Sequence, residues 1–348
     1  MKRIKIKYSH LLNFLVTAML FTFLFSCTSE KNKVRRNLTL VFYNVENLFD
    51  LQDEAGKSDE EFTPESEKKW NQERYDKKLE DISKVLSSIN ENDLPEIIGL
   101  CEVENKNVLA DLVNTGNLVK GKYKIVHHES PDFRGIDCAL VYRPDEFRVI
   151  KNFPINVKFP DEPDYKTRDI LYVKGKTKNR EEFHIFINHW PSRIGGVDQT
   201  EAKRVFVAAL LKSKIDSVLL KNRGANIIVM GDTNDEPDNK SLIETLGAQI
   251  PGSDSAGLVN LMFPDDQQEK GSYYYRGNWN MLDNIVVSAG LLDDEGFQCK
   301  EKKGFVFHQE WMEFKNRDGQ ISPNRTYGGP NYYGGISDHF PVYFKLER

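Results

Sequence analysis

Polar side chains stand at the ends of six apolar stretches of this sequence. Each stretch has the length and composition of a buried strand, and a carboxylate, amide or imidazole ends or begins it. Loops at strand ends converge on a rigid scaffold, so ligand sites often form there. Asp and Asn are also common in turns and helix caps, so the significance lies in the set and not in one position. The set is Asn44, Glu102, His189, Asp232 with Asn234, Asp283, and Asp338 with His339.

Part of this set suits a metal ion and a charged substrate. The carboxylates of Glu102 and Asp338 are oxygen ligands for a hard cation, Mg²⁺ first, with Mn²⁺ and Ca²⁺ as alternatives. The imidazoles of His189 and His339 can donate hydrogen bonds to an oxyanion. The sequence therefore predicts a divalent cation next to a negatively charged group of the substrate.

Three further carboxylates, Asp137, Asp232 and Asp283, can orient those imidazoles or take a proton from water. With a cation to neutralise phosphoryl oxygens, the combination predicts hydrolysis of a phosphate ester. A zinc site is less well supported, because the sequence has no HExxH and no CxxC motif. It also has no P-loop, GxGxxG or GxSxG motif, which argues against nucleotide, dinucleotide and serine-hydrolase chemistry.

The elements that must position these residues follow from hydrophobic periodicity. Helices are predicted over residues 67–89, 107–116, 199–222 and 239–247. Strands are predicted over residues 38–45, 96–103, 123–128, 138–144, 169–175, 182–190, 226–231, 282–288, 304–308 and 339–346. No linker divides the chain, and each half mixes strands with one long helix. We expect a single domain over residues 38–348, an α/β fold with two sheets facing each other and helices outside.

The first 27 residues have a basic start, an apolar run and a small residue before Cys27, which is the order of a secretory signal peptide. The ending LFSC resembles the lipobox of bacterial lipoproteins. That resemblance implies lipid attachment at Cys27, with residues 28–37 as a polar tether. Cleavage without a lipid, or an uncleaved membrane anchor, remains open. We expect an exported lipoprotein on the periplasmic or surface side of a membrane.

Removal of residues 1–26 would take away four cations and no acid, so the formal charge would change from −5 to −9. A body this acidic does not attract polyanions without local help. A phosphate-bearing substrate must therefore be captured by a metal or by a few placed cations. Of the cysteines after Cys27, we expect Cys101, Cys138 and Cys299 to be core thiols, with a bridge between the first two left open.

Seven blocks of the sequence, in order, resemble the endonuclease/exonuclease/phosphatase superfamily of DNase I-like phosphoesterases. They are YNVENLFD (43–50), IIGLCEVEN (97–105), RGIDCALVYRP (134–144), INHWPSR (187–193), VMGDTNDEP (229–237), MLDNIVVS (281–288) and SDHFPVYF (337–344). The blocks ENLFD, DEEFTPE and HWPSRIGG are similar to the branch found in exported bacterial proteins. The resemblance implies a four-layer α/β sandwich, which agrees with the two facing sheets expected above.

The resemblance also implies roles for the metal-binding residues. Asn44 and Glu102 resemble the amide of the first strand and the metal-binding glutamate. Asp338 resembles the terminal metal-binding aspartate. We therefore expect Asn44, Glu102 and Asp338 to form the metal site.

The remaining roles concern catalysis. His189 resembles the histidine that contacts the scissile phosphate. Asp232 and Asn234 resemble the pair that orients the attacking water and binds the phosphate. His339 resembles the terminal phosphate-stabilising histidine, and Asp283 resembles the acid paired with it.

Three residues are assigned with less support. No block supplies an acid for His189, and Asp137 is the candidate. Arg134 and Arg193 could bind the substrate phosphate through their guanidinium groups, or they could form surface ion pairs.

The first functional hypothesis is an exported, metal-dependent nuclease acting on phosphodiester bonds, with nucleic acid as its substrate. The second is a phosphatase or phospholipase-type enzyme acting on small phosphate esters or lipid headgroups. The third is a binding module without catalysis, which the complete catalytic set argues against. No protein partner is indicated.

Overall fold

The central strand of the molecule, residues 37–48, is buried along almost its whole length, as expected for a strand covered on both faces. The structure is a computed structural model, and it describes residues 37–91, 93–253, 257–268 and 270–348. The expected signal peptide and all of the expected tether before Asn37 lie outside the described residues. The described residues, from Asn37 onward, belong to one compact unit.

Nineteen strands are present in the described part of the chain. They are β1 (Asn37–Leu48), β2 (Ile97–Val103), β3 (Lys124–His127), β4 (Asp137–Tyr142), β5 (Phe147–Ile155), β6 (Ile170–Thr177), β7 (Glu182–His189), β8 (Asn226–Asp232), β9 (Ala248–Gln249), β10 (Leu258–Asn260), β11 (Tyr273–Tyr275), β12 (Asn278–Asn280), β13 (Asp283–Ser288), β14 (Phe305–Val306), β15 (Glu313–Lys315), β16 (Ile321–Pro323), β17 (Tyr327–Gly328), β18 (Asn331–Tyr332) and β19 (Val342–Glu347).

The helices are fewer. The α-helices are α1 (Gln72–Ser88), α2 (Lys106–Val113), α3 (Val197–Leu219) and the single turn α4 (Phe263–Asp266). Helix α1 begins five residues after the predicted start, because the Asn71 side chain accepts the N–H of Arg74 and caps the helix there. The helix expected over residues 239–247 is a short π-helical segment, Ser241–Leu246, ended by Gly247 at a φ of 76°.

Two large sheets face each other. The first has the strand order β14-β19-β1-β2-β4-β3, and the second has the order β5-β6-β7-β8-β13-β10-β9. One apolar cluster lies between the sheets, and it includes Phe42, Leu140, Ile185 and Met230. The resulting four layers confirm the predicted α/β sandwich.

The outer faces of both sheets are covered by helices. Helices α1 and α2 pack on the first sheet through residues such as Leu79 and Leu109. Helix α3 packs on the second sheet through residues such as Leu211. No helix in the described ranges is long and apolar enough to cross a membrane. Cys101, Cys138 and Cys299 are buried free thiols, and the first two face each other across β2 and β4.

Strand direction brings the polar strand ends together. In the first sheet β1 and β2 run parallel, and in the second sheet β7 and β8 run parallel. Strand β4 is antiparallel to β2, and β13 is antiparallel to β8, so these two strands begin where their neighbours end. The carboxyl ends of four strands and the amino ends of two therefore share one edge, which we call the catalytic edge.

Candidate active site at the catalytic edge

Asp232 occupies the centre of the catalytic edge. It is the last residue of β8, next to His189 of β7 and opposite Asp283 of β13 in the strand register. Its Oδ2 accepts a hydrogen bond from Asn44 Nδ2 at 3.0 Å, and its Oδ1 accepts one from the N–H of Asn234 at 2.9 Å. These two donors fix the carboxylate, which is almost fully buried.

The glycine before Asp232 has a steric role. A Cβ atom at Gly231 would lie 2.5 Å from the carbonyl oxygen of Asn188 in β7. Any larger residue would push β8 away from β7. Glycine therefore permits the close strand spacing that brings Asp232 beside His189.

Four residues at this edge have an uncommon backbone conformation. Glu46, Asn47, Glu102 and Asn234 all have a positive φ, between 49° and 60°. Such conformations are uncommon in residues other than glycine, and strained residues of this kind often cluster at functional sites. Glu102 lies where the register of β2 shifts against both its neighbours, so a bulge directs its side chain.

His339 is held by Asp283 of the second sheet and by the stretch that carries Ser272 and Tyr273. Its Nδ1 lies 2.6 Å from Asp283 Oδ2, and both residues are buried. The hydroxyl of Ser272 donates to the same carboxylate oxygen. Tyr273 lies over the imidazole, with ring centroids 4.8 Å apart. Nε2 of His339 is left facing the site, 3.8 Å from Asp232 Oδ2.

His189 faces the same carboxylate from the other side. Its Nε2 lies 3.5 Å from Asp232 Oδ2 and 3.8 Å from Glu102 Oε1. Its Nδ1 is buried and has no hydrogen-bond partner among the described residues. Asp137, the expected acid for His189, instead pairs with His127 Nε2 at 2.8 Å and accepts the N–H of Ser130. The predicted pairing of Asp137 with His189 is therefore wrong.

The two imidazoles have opposite electrostatic environments. Burial lowers the pKa of His189 well below its usual value, and the charges of Arg168 and Arg134 lower it further. Burial also acts to lower the pKa of His339, but the negative charges of Asp283 and Asp232 raise it well above its usual value. His189 is therefore neutral and His339 is protonated near neutral pH.

The pKa of Asp232 lies close to neutral pH. Burial raises its pKa to about 7, against the opposing effect of the charge on His339. A carboxylate with this pKa can take a proton from water under physiological conditions. The site thus contains an acid–base residue between a neutral imidazole and a protonated one.

Two carboxylates at the edge have one oxygen held by the protein and one oxygen available. Glu102 Oε2 accepts the N–H of Asn47 at 3.1 Å. Asp338 Oδ2 accepts Arg325 Nη2 at 2.8 Å. Glu102 Oε1 and Asp338 Oδ1 have no hydrogen-bond donor within 3.5 Å among the described residues; their nearest imidazole nitrogens lie 3.8 and 4.0 Å away. Oriented carboxylate oxygens that have no donor of their own fit a hard divalent cation.

Asn44, the third residue expected at the metal site, contacts Asp232 directly. The amide of Asn44 donates to Asp232 and its oxygen accepts the N–H of Glu46 at 3.0 Å. These contacts make Asn44 a partner of Asp232, and because an amide oxygen has two lone pairs its predicted place at the metal site stays a prediction. Asp232, Asp283 and His339 also lie close enough to suggest metal ligands. The direct contact between His339 and Asp283 leaves no space for an ion between them.

The two candidate arginines differ. All three nitrogens of the Arg193 guanidinium are engaged, by the carbonyl oxygen of Asn234 at 2.6 Å and by Asn280 and Asn239 at 3.2 and 2.9 Å. Arg193 braces the loop that carries Asn234, and the carboxylates of Asp235 and Glu236, each 3.6 Å from its Nη2, disfavour a phosphate there. Arg134 has a side chain that is one-third exposed and lies 3.7 Å from Asp132, so it remains the candidate for a substrate contact.

Sequence reasoning missed several residues of the site. Ser272 and Tyr273, which hold His339, lie in the stretch GSYYYRGNWN, where no motif marks them. Arg325, which holds Asp338, lies in an irregular loop and resembles any surface arginine. Arg168 is fully buried and donates to Asp132 and to the carbonyl oxygen of Trp190. The one signal in the sequence is its position in KTRDILYV, directly before the apolar run of a strand.

Two facing sheets with this set of carboxylates and imidazoles at one edge define a hydrolytic phosphoesterase. Residues 39–348 match the profile of the Endonuclease/Exonuclease/phosphatase family, and the chain belongs to that family. Enzymes of this family use divalent metals. None of the curated proteins matches the chain in sequence.

Solved structures share the fold at low identity. A family protein from Bacteroides thetaiotaomicron has a TM-score of 0.54 and 18% identity, with 89% of this chain and 97% of that chain covered. A mannosyl-6-phosphatase from the same organism has a TM-score of 0.55 and 18% identity, covering 89% and 100%. D. rerio TDP2, solved with a single-strand DNA product, has a TM-score of 0.55 and 14% identity, covering 90% and 99%.

Proposed function

We propose that this enzyme hydrolyses phosphodiester bonds of nucleic acid outside the cytoplasm, with Mg²⁺ as its cation. The observation that carries the proposal is the row of His189, Asp232 and Asp283–His339 on three adjacent elements, facing the free oxygens of Glu102 and Asp338. A base, two imidazoles and a cation site within a few ångströms match the needs of phosphoester hydrolysis.

Each residue of the site has its own role in this reaction. Asp232 removes a proton from water, and the water oxygen forms a bond to phosphorus. The bond from phosphorus to the leaving oxygen breaks, and its electron pair goes to that oxygen. Asn234, held beside Asp232, orients the water and binds the phosphate. Protonated His339 and the N–H of His189 donate to the phosphoryl oxygens as negative charge develops there.

The cation belongs at Glu102 and Asp338. When bound there, it supplies charge neutralisation to the phosphoryl oxygens. The protein orients the two carboxylates through Asn47 and Arg325. These contacts leave one oxygen of each carboxylate directed at the site.

An aromatic surface beside His339 favours a substrate that carries a ring. Tyr273 lies on His339, and Tyr275 stacks on Tyr273 with ring centroids 6.3 Å apart and an angle of 17° between the ring planes. Tyr275 is about half exposed, at 53%, and Arg276 lies over it. Nucleobases stack on such side chains with little sequence preference. This surface supports a nucleic acid substrate.

A second candidate substrate is a small phosphate ester such as a sugar phosphate. The acidic body, with a formal charge of −9 without residues 1–26, favours a small anion over a long polyanion. The likeness to a mannosyl-6-phosphatase is compatible with this candidate. Phospholipid headgroups are the third substrate class to be tested.

The test is an assay panel with the purified full chain and Mg²⁺. The substrates are single-stranded DNA, plasmid DNA, RNA, a hexose phosphate, a lysophospholipid and an aryl phosphodiester. We expect turnover of single-stranded nucleic acid and the aryl diester, lost in Asp232→Asn. Turnover of the hexose phosphate alone would assign the second candidate, and inactivity on every ester would refute the proposal.

We also propose that the enzyme is exported and anchored by a lipid on Cys27. The support is the basic-apolar-small-Cys order of residues 1–27. An enzyme so placed would meet nucleic acid or phosphate esters released outside the cell or in the periplasm.

A further inference from the structure

A buried lysine and a buried glutamate join the catalytic edge to the loop that carries its terminal residues. The loop runs from Asn324 to Ser337 and leads directly into Asp338 and His339; we call it the terminal loop. Lys78 reaches it from helix α1, and Glu46 reaches it from β1. Neither residue touches the proposed reacting atoms.

Lys78 connects three separate parts of the chain. Its Nζ donates to the carbonyl oxygen of Glu46 at 3.0 Å, to Thr326 Oγ1 at 2.6 Å and to the carbonyl oxygen of Ile336 at 2.5 Å. These three acceptors use all three donors of an ammonium group. The side chain is 2% exposed, although lysine is almost never fully buried without such partners.

Glu46 holds the same loop through its carboxylate. Oε2 accepts the N–H of Thr326 at 2.7 Å, and Oε1 lies 3.4 Å from the N–H of Tyr327. Arg325, between Glu46 and Asp338, has its Nε 3.9 Å from Glu46 Oε1 and its Nη2 2.8 Å from Asp338 Oδ2. The carboxylate thus fixes the backbone beside the arginine that orients Asp338.

The connection continues into the centre of the site. The N–H of Glu46 donates to Asn44, which in turn donates to Asp232. Ser337 Oγ donates to the carbonyl oxygen of Asn44 at 2.7 Å and accepts the N–H of His339 at 3.1 Å. A displacement of the terminal loop would therefore move Asp338 and His339 relative to Asp232.

We propose that Lys78 and Glu46 are positioning residues that lock the terminal loop, and through it Asp338 and His339, in the geometry required for cation binding and turnover. The inference rests on the proposed function for its effect on turnover, but the locking of the loop can be measured without activity. Partners of this kind, one contact removed from a ligand, typically change metal affinity or activity by about 10–100-fold when they are lost.

The matched variants at Thr326 test the lysine contact with little risk to folding. Thr326→Val removes the hydroxyl that accepts from Lys78 and keeps the shape, whereas Thr326→Ser keeps the hydroxyl. Lys78→Met and Glu46→Gln remove the two anchors directly. Lys77→Met, an exposed neighbour on α1, is the control for the lysine. Glu104→Gln is the control for the glutamate, because Glu104 is also buried and accepts a backbone N–H, from Asp50, outside the terminal loop.

Two readouts are needed. The first is amide hydrogen exchange across residues 324–337, which should speed up in Lys78→Met, Glu46→Gln and Thr326→Val while the β-sheets stay protected. The second is the affinity for Mn²⁺ by calorimetry, which should fall about 10–100-fold, with kcat lowered more than KM changes. Thr326→Ser and both controls should resemble the parent.

The outcomes separate the two proposals. If the loop exchanges faster and Mn²⁺ binds more weakly while the parent cleaves no phosphate ester, the positioning role stands and the proposed function fails. If folded Lys78→Met and Thr326→Val keep the parent's exchange, Mn²⁺ affinity and kcat, the positioning role is refuted. Faster exchange throughout the molecule would assign the two residues to general stability and would also refute it.

Discussion

The pair formed by His339 and Asp283 permits a quantitative test of the proposed chemistry. His339→Ala removes a protonated donor from the phosphate site. Loss of one such transition-state donor typically lowers turnover by about 10²–10³. Asp283→Asn keeps the size of the side chain but removes the charge that raises the pKa of His339. It also disturbs the 2.6 Å contact that orients the imidazole, so we expect a comparable loss.

The double variant carries the sharpest prediction. Once His339 is absent, the carboxylate of Asp283 has no imidazole to orient or to charge. Removing it as well should therefore cost little more, so that kcat of the double variant stays close to that of His339→Ala. In a double-mutant cycle this appears as a large coupling free energy between the two positions.

The assay is kcat on one aryl phosphodiester at saturating Mg²⁺ for the parent, both single variants and the double variant. Asp293→Asn, an exposed carboxylate beyond the other end of β13, is the control and should match the parent. Thermal unfolding of each variant identifies losses that come from misfolding. Losses that multiply fully in the double variant would mean that the two residues act independently, and the role given to Asp283 would be wrong.

Four other residues carry predictions. Glu102→Gln should abolish turnover at low Mg²⁺, and chelation of the parent should do the same reversibly; activity that persists in excess chelator would contradict a cation site. Burial raises the pKa of Asp232 to about 7, and a general base must be deprotonated to act. We therefore expect kcat/KM to rise with pH up to about 7 and then to level off. A flat profile below that pH would exclude Asp232 as the base. Cys27→Ser should release the protein from the membrane fraction or block its processing, whereas unchanged fractionation and migration would contradict a lipid anchor. Arg134→Ala should raise KM with little effect on kcat, and an unchanged KM would remove it from the substrate contacts.

Most of the two-sheet framework could be predicted from the sequence, because buried strands appear as continuous apolar runs. Strand β5, Phe147–Ile155, was not predicted. It is an edge strand with a mixed burial pattern, and it contains Lys151 and Pro154. Lysine and proline protect an exposed edge from pairing with other chains. The features that make this edge safe also make it look like a loop.

The limits of sequence reasoning at the site are visible in the two histidine partners. Asp283 could be identified for His339 because the family resemblance includes an acid paired with the terminal histidine, whereas it indicates no acid for His189. Asp137 could not be excluded for His189 in the same way. The bulge between Cys101 and Val103 shifts β4 against β2, and the side chain of Asp137 meets His127. Such shifts in register decide which acid faces which imidazole. They depend on how the strands pair, and the sequence alone does not show that pairing.

Residues that act by holding other residues were the hardest to find. Lys78 lies in a helix rich in charged residues, and a lysine there is normally solvated. It becomes a buried donor only because carbonyl groups of two distant segments meet at its tip. Backbone acceptors carry no sequence signal, since every residue has one.

The division of the site between the two sheets explains why it needs such connections. The first sheet and the segment before β19 supply Glu102, Asp338 and His339, and the second sheet supplies His189 and Asp232. The apolar core between the sheets fixes their separation but gives no directional contact at the edge. Direction comes from hydrogen bonds that cross between the sheets, from Asn44 to Asp232 and from His339 to Asp283. The terminal loop lies outside the two large sheets and leads into Asp338 and His339, so its proposed anchoring by α1 and β1 would keep the cation site and the base in one geometry.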